Sequence, residues 1–174
     1  PVGIVLARAP CSIRALARPL LLRRASLMGA QAPRLADAIA HVAHPGIRTR
    51  GTIGGRLSHS DPASELPACM VALGATIIAR GPHGERRIAA EDFFTGIYET
   101  ALSSQELLVG IELPVARKDS AHFFHEFARR HGDYAIVGLA AHAIIKDGRF
   151  VDVRLGVFPV GLPPFLVRAG HKLG

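Results

Sequence analysis

Apolar residues recur along this chain with two different periods, and the switch between them predicts its organisation. In the stretch 35–43, Leu35, Ala36, Ile39, Ala40, Val42 and Ala43 fall on one face at helical spacing. His44-Pro45-Gly46 predicts the end of that helix, because proline restricts the residue before it and glycine tolerates a turn. After a glycine-rich stretch, Asp61-Pro62 predicts the N-cap and first position of a second helix. Glu65 then falls in its first turn, and 66–73 is its apolar body. Beyond Gly74 the period becomes that of strands. Residues 75–80 and 85–89 predict a hairpin closed by Gly81-Pro82-His83-Gly84. Glu91-Asp92-Phe93-Phe94 predicts a short helix, and 107–113 a further strand ended by Pro114.

The last third predicts antiparallel structure. Strands are expected over 123–129, 137–145 and 150–158, the last two joined at Asp147-Gly148. That dipeptide supplies the two positive φ values that a tight type I′ hairpin needs. Beyond it the Pro-rich tail is expected to be unpaired. The polar linker 116–120 is the expected boundary between two subdomains. The fold class is therefore α+β, with a helix-and-strand unit leading into an antiparallel sheet. No internal repeat or low-complexity segment interrupts it.

Composition narrows the function classes. The chain has 174 residues, enough for one ordinary domain or two small ones, and 49% of them are hydrophobic, enough to bury a core. No apolar run reaches the roughly 18 residues of a bilayer span, so no membrane span is expected. Cys11 and Cys69 are too few for a disulfide framework or thiolate cluster, and Cys69 reads as a buried small hydrophobe. The net charge of +7 is local: residues 1–36 hold Arg8, Arg14, Arg18, Arg23, Arg24 and Arg34 and no acid. That segment has no aromatic residue, so the charge is not read as a nucleic-acid face. It begins at Pro1 rather than Met, from which an upstream portion is expected.

Candidate chemistry lies at Gly51-Thr52-Ile53-Gly54-Gly55. A loop of this kind can present successive backbone N–H groups to a phosphate, with glycine permitting close approach and positive φ. The Thr52 hydroxyl can donate to a phosphate oxygen. Taken alone, the segment is a weak signal and reads first as a structural turn between helices. It matches neither the dinucleotide fingerprint nor the P-loop. His41, His44 and His59 have no acidic or thiolate partner at metal-site spacing, so no metal centre is expected. No nucleophile–base pair suggests hydrolysis.

The wider context is more specific. The run from His44 through Gly51-Thr52-Ile53-Gly54-Gly55 into Ser58-His59-Ser60-Asp61-Pro62 and Glu65-Leu66-Pro67 resembles the FAD-binding medium subunits of the carbon monoxide dehydrogenase and xanthine dehydrogenase family. The resemblance continues through Glu91-Asp92-Phe93-Phe94, the 107–114 strand and Phe127-Ala128-Arg129-Arg130-His131-Gly132-Asp133-Tyr134-Ala135, and covers about 34–162. It implies the second FAD-binding subdomain of the PCMH-type flavoprotein fold, followed by the start of an antiparallel-sheet C-terminal domain. The corresponding divisions are a basic N-terminal segment 1–33, an FAD-binding subdomain 34–118 and a partial C-terminal domain 119–174. The implied function is a cytoplasmic electron-transfer subunit carrying FAD. Its implied partners are a molybdopterin-binding large subunit and an iron–sulphur small subunit, with no role for nucleic acid.

Residue by residue, the resemblance assigns Thr52, Ile53, Gly54, Gly55 and Arg56 to the pyrophosphate-binding loop. It assigns Glu65 to an acidic position that hydrogen-bonds FAD, Leu108 to an apolar position packed near the flavin, and Tyr134 to a stretch approaching the isoalloxazine. Each has a plainer reading: Glu65 favours a helix N-terminus and Tyr134 is a half-buried aromatic. Arg56 departs from the small polar residue usual in relatives, and either pairs with a phosphate or points to solvent. A second departure is larger, because relatives carry another glycine-rich loop well upstream that this sequence does not supply. The expectation is a fragment of the family. The rival readings are a remnant that binds partner subunits without FAD, and another PCMH-type flavin oxidoreductase.

Overall fold

The computed structural model describes residues 4–8, 50–130 and 133–169. The expected 35–43 helix and its His44-Pro45-Gly46 stop lie outside the described residues. So does Cys11.

Among the described residues, two four-stranded sheets are built around one central helix. The first runs in the order β1 (Ile4–Arg8), β6 (Leu107–Pro114), β2 (Thr76–Gly81), β3 (Gly84–Ala89), every neighbour antiparallel. β2 and β3 form the expected hairpin, with Gly81 opposite Gly84 and Pro82-His83 at the turn. No strand is expected at β1 from the sequence. Its pairing with β6, Ile4 opposite Pro114 through Arg8 opposite Gly110, brings the start of the basic segment onto the sheet edge. Between β3 and β6 lie the short helix α3 (Ala90–Phe93) and the small hairpin β4 (Phe94–Gly96) and β5 (Glu99–Thr100).

The second sheet is an antiparallel meander of β7 (Ser120–Ala128), β8 (Ala135–Lys146), β9 (Arg149–Pro159) and β10 (Phe165–Ala169). Asp147 and Gly148 turn β8 into β9 with φ of 50° and 74°, the type I′ signature read from the sequence. The tail is a different matter. It was expected to be unpaired, but Phe165–Ala169 pairs with Val153–Val157 of β9. The Pro163-Pro164 pair lies in the connection, where missing N–H groups cost the ladder nothing, and the β-branched and aromatic residues beyond it can resume pairing.

Among the described residues, two helices precede β2: α1 (Ile53–His59) and α2 (Glu65–Leu73). Every residue of α2 from Glu65 to Ala72 is buried. Such a helix has no solvent face because it is packed from both sides. The core joins Ile53 and Leu57 of α1 with Leu66, Met70 and Val71 of α2, Ile77 and Ile111 of the first sheet, and Ala140 and Phe158 of the second. Cys69 sits in this core at 5% exposure, as its apolar setting predicted. The C-terminus of α2 is closed by Gly74 in the left-handed conformation, φ 66°. Arg154 of β9 completes it, donating from Nε to the Ala72 carbonyl and from Nη2 to the Val71 carbonyl, each at 3.1 Å. No described helix is long and apolar enough to cross a membrane.

Candidate cofactor-binding site

The glycine-rich segment is not the loop the sequence suggested. Ile53, Gly54 and Gly55 form the first turn of α1, and Thr52 is its N-cap. The Thr52 backbone is extended, and its Oγ1 accepts from the Gly55 N–H at 3.0 Å. The Arg56 N–H bonds to the Thr52 carbonyl at 3.1 Å. Neither Gly54 nor Gly55 needs positive φ, since the positive-φ glycines among the described residues are Gly74, Gly84, Gly148 and Gly161. Glycine here gives room instead: a Cβ at Gly55 would lie 3.0 Å from Thr52 Oγ1. The Thr52 hydroxyl keeps its own proton to donate. The N–H groups of Ile53 and Gly54 belong to the leading donors that a helix cannot satisfy internally.

The second expected feature also shifts. Asp61 does not cap α2. Its Oδ1 accepts from the Ala63 N–H at 2.9 Å and its carbonyl from the Ser64 N–H at 3.0 Å, a closed turn before the helix. Ser64 occupies the cap position, but its side chain makes no capping bond. The helix therefore starts three residues later than Asp61-Pro62 implies, because the aspartate side chain satisfies the turn before it can reach a helical N–H.

This shift places Glu65 at the first position of α2, turned inward. Its side chain is 8% exposed, and Arg56 Nη1 of α1 lies 3.9 Å from its Oε2. That distance is an ion pair and not a hydrogen bond. Burial is the largest influence on the Glu65 carboxyl and raises its pKa to about 7; its own backbone N–H and Arg56 oppose the rise, while Glu126 of β7 and Asp61 add to it.

Two buried atoms of neighbouring residues, Ser64 Oγ and Glu65 Oε2, have no hydrogen-bond partner among the described residues. Orphaned polar atoms of this kind are expected where a polar ligand completes the site. A hydroxyl and a carboxyl behind a helix turn with spare N–H groups, beside a guanidinium, fit the phosphates and hydroxyls of a dinucleotide. Ser60 is a further buried polar residue near α2. It sits at φ 50°, its Oγ donates to the Gly96 carbonyl at 3.3 Å, and its carbonyl accepts from the Tyr98 N–H at 3.0 Å. Those bonds tie the tip of the β4–β5 hairpin to the end of α1, where Tyr98 packs against His59 with ring centroids 4.9 Å apart.

The remaining expected site residues are placed differently. Leu108 lies in β6 at 8% exposure, within the core. Tyr134 is not half-buried. It is 72% exposed on the connection between β7 and β8, its N–H bonded to Asp133 Oδ1 at 2.9 Å. Ser64 and Glu126 were not singled out in the sequence. Ser64 is concealed because Asp61-Pro62 is the stronger capping signal, and Glu126 because only the return of β7 brings it to α2.

Comparison with known proteins gives this geometry its family. A sequence-family model described as the FAD binding domain in molybdopterin dehydrogenase matches residues 9–116. The chain belongs to this family, and FAD is its cofactor. It is 39% identical over 138 residues to the caffeine dehydrogenase subunit beta of Pseudomonas sp. (strain CBB1), covering 79% of this chain and 47% of that protein. It is 33% identical over 146 residues to the carbon monoxide dehydrogenase medium chain of Afipia carboxidovorans, covering 84% of this chain and 51% of that protein. Among solved structures it resembles the carbon monoxide dehydrogenase from Hydrogenophaga pseudoflava that lacks the Mo-pyranopterin moiety of the molybdenum cofactor. The TM-score is 0.85 at 30% identity, over 97% of this chain and 56% of that one. The expected fold class, an FAD-binding helix-and-strand unit followed by an antiparallel sheet, is the one observed. The chain spans about half the length of the curated relatives it matches.

Proposed function

We propose that this chain is the FAD-holding part of a flavoprotein subunit in a molybdenum hydroxylase, an oxidoreductase acting in the cytoplasm. The proximity of Arg56 and Glu65 carries the reading, because it brings the α1 glycine turn and the buried start of α2 to one place. In this reading Thr52, Ile53, Gly54 and Gly55 hold the cofactor pyrophosphate through backbone N–H groups and the Thr52 hydroxyl. Arg56 supplies positive charge to the same phosphates. Glu65, with Ser64 beside it, bonds a polar part of the cofactor, Leu108 backs the flavin from the core, and Tyr134 approaches it from the β7–β8 connection.

The bound flavin supplies the redox chemistry, receiving electrons and passing them to an acceptor. The chain's own residues orient it, neutralise its phosphates and keep water from its buried side. Relatives named as a medium chain and a subunit beta support assembly with an iron–sulphur small subunit and a molybdopterin-binding large subunit. We place the subdomain boundary near 118, with 34–118 as the FAD-binding subdomain and 119–174 as part of the C-terminal domain.

The test is a cofactor assay of the purified native complex. Flavin, iron and molybdenum together are the expected result, with flavin lost selectively in a Thr52→Val, Arg56→Gln double variant. A complex that retains full flavin in that variant overturns the site. A complex without molybdenum overturns the assembly.

A further inference from the structure

Arg56 and Glu65 face each other across the gap between α1 and α2 at 3.9 Å. Among the described residues none donates a hydrogen bond to Glu65 Oε2, although the side chain is almost wholly enclosed. Enclosure without a hydrogen-bonded partner disfavours the ionised form of this carboxyl. The surrounding groups do not supply the missing charge. Asp61, in the turn between the helices, and Glu126, on β7, are both acidic. Cys69, one turn further along α2, is a fully buried thiol whose pKa is pushed far up by burial and then by Glu65. Among the described residues, the cation acting on the carboxyl is Arg56. That same guanidinium stands one position beyond the glycine turn, where it is the charge available to a bound phosphate.

We propose that Glu65, besides bonding a polar part of the cofactor, is proton-linked to the phosphate site through Arg56. Its neutral form leaves the guanidinium free to face an anionic cofactor phosphate; its ionised form draws the guanidinium to itself and repels that phosphate. The inference rests on reading Thr52–Arg56 as the pyrophosphate site. FAD is then held most tightly when Glu65 carries a proton, and binding takes a proton from solvent once the pH exceeds the carboxyl's range. Retention weakens as the pH rises past neutrality, approaching about tenfold per pH unit where ionised Glu65 predominates.

The experiment is a titration of FAD into the flavin-depleted native complex from about pH 5.5 to about pH 8.5, followed by flavin fluorescence. Calorimetry at pH 7.5 in two buffers of different ionisation enthalpy is run beside it. The wild type is expected to lose affinity with rising pH and to take up protons on binding. Glu65→Gln, uncharged at every pH, is expected to bind with little pH dependence and no linked uptake. Arg56→Gln is expected to bind more weakly throughout, with a shallower pH profile.

Wild-type affinity that is flat or rises with pH overturns the inference, as does a Glu65→Gln variant that keeps the full pH dependence. If Glu65→Gln does not fold, the wild-type calorimetry decides, and zero uptake or proton release overturns it. If Thr52→Val and Arg56→Gln both bind FAD as tightly as wild type, the pyrophosphate site itself is misplaced. That result is separate from the pH profile.

Discussion

Gly156 of β9 lies directly against the Ala68 carbonyl of α2: a Cβ built on the glycine would come within 2.2 Å of that oxygen. The Ala72 nitrogen, one turn later, would lie 3.2 Å from the same Cβ. The second sheet can therefore approach the central helix only because position 156 has no side chain. Gly156→Ala is expected to push β9 off α2 and destabilise the protein by about 1–3 kcal/mol, as overpacking of a close-packed core does. Denaturant unfolding measures it, and a change near zero would mean that the two elements separate without cost.

A second glycine has a different neighbour. Gly138 of β8 is directly opposite Phe158 of β9, and a Cβ there would fall 1.9 Å from the phenyl ring. Phe158 is fully buried, folded over the bare glycine and stacked on Phe124 at 6.0 Å between centroids. Phe158→Ala is expected to cost about 3–5 kcal/mol through the cavity it opens. Gly138→Ala should be damaging in the wild type and much less so in the Phe158→Ala background. The coupling should exceed about 0.5 kcal/mol in a double-mutant cycle. Simple additivity would show that the ring does not occupy the space above Gly138.

The buried Glu65 carboxyl also links stability to pH. Its pKa is about 7 in the folded chain against 4.5 for the free side chain, so the folded state holds the proton more tightly. That contribution is fully present below the unfolded value of 4.5 and is lost as pH rises through about 7. Relative to a Glu65→Gln variant, the wild type is expected to lose about 3 kcal/mol of unfolding free energy across that window. Parallel pH profiles for the two proteins would rule out a buried, proton-binding Glu65.

Gly54 is buried in the first turn of α1. Gly54→Val puts a branched side chain where the cofactor phosphates are proposed to meet the backbone, and the native complex is expected to lose its flavin. Circular dichroism separates this from unfolding: helix and strand content should be retained, because a helical backbone accepts valine at a cost of less than about 1 kcal/mol relative to alanine. Full flavin content would mean that the phosphates lie elsewhere.

Much of this architecture was written locally. The two-residue turn at Asp147-Gly148 needs only positive φ, which those residues accept, and the flanking alternation sets β8 against β9. The Gly81–Gly84 hairpin, the 107–114 strand and the buried helix ending at Gly74 are readable for the same reason: each is specified by its own residues and their period. So are the glycines of the 51–55 segment and the resemblance that assigns FAD to it. Other features depended on partners distant in the chain. The helix start within 51–55 is the exception, settled locally by Thr52, whose oxygen caps the Gly55 N–H. Phe165–Ala169 became a strand because β9 offered a free edge, and Ile4–Arg8 because β6 did. The charge state of Glu65 was least legible of all. It depends on how deeply α2 is enclosed and on Glu126 arriving from β7, and desolvation is a property of the packed core that no local run of residues carries.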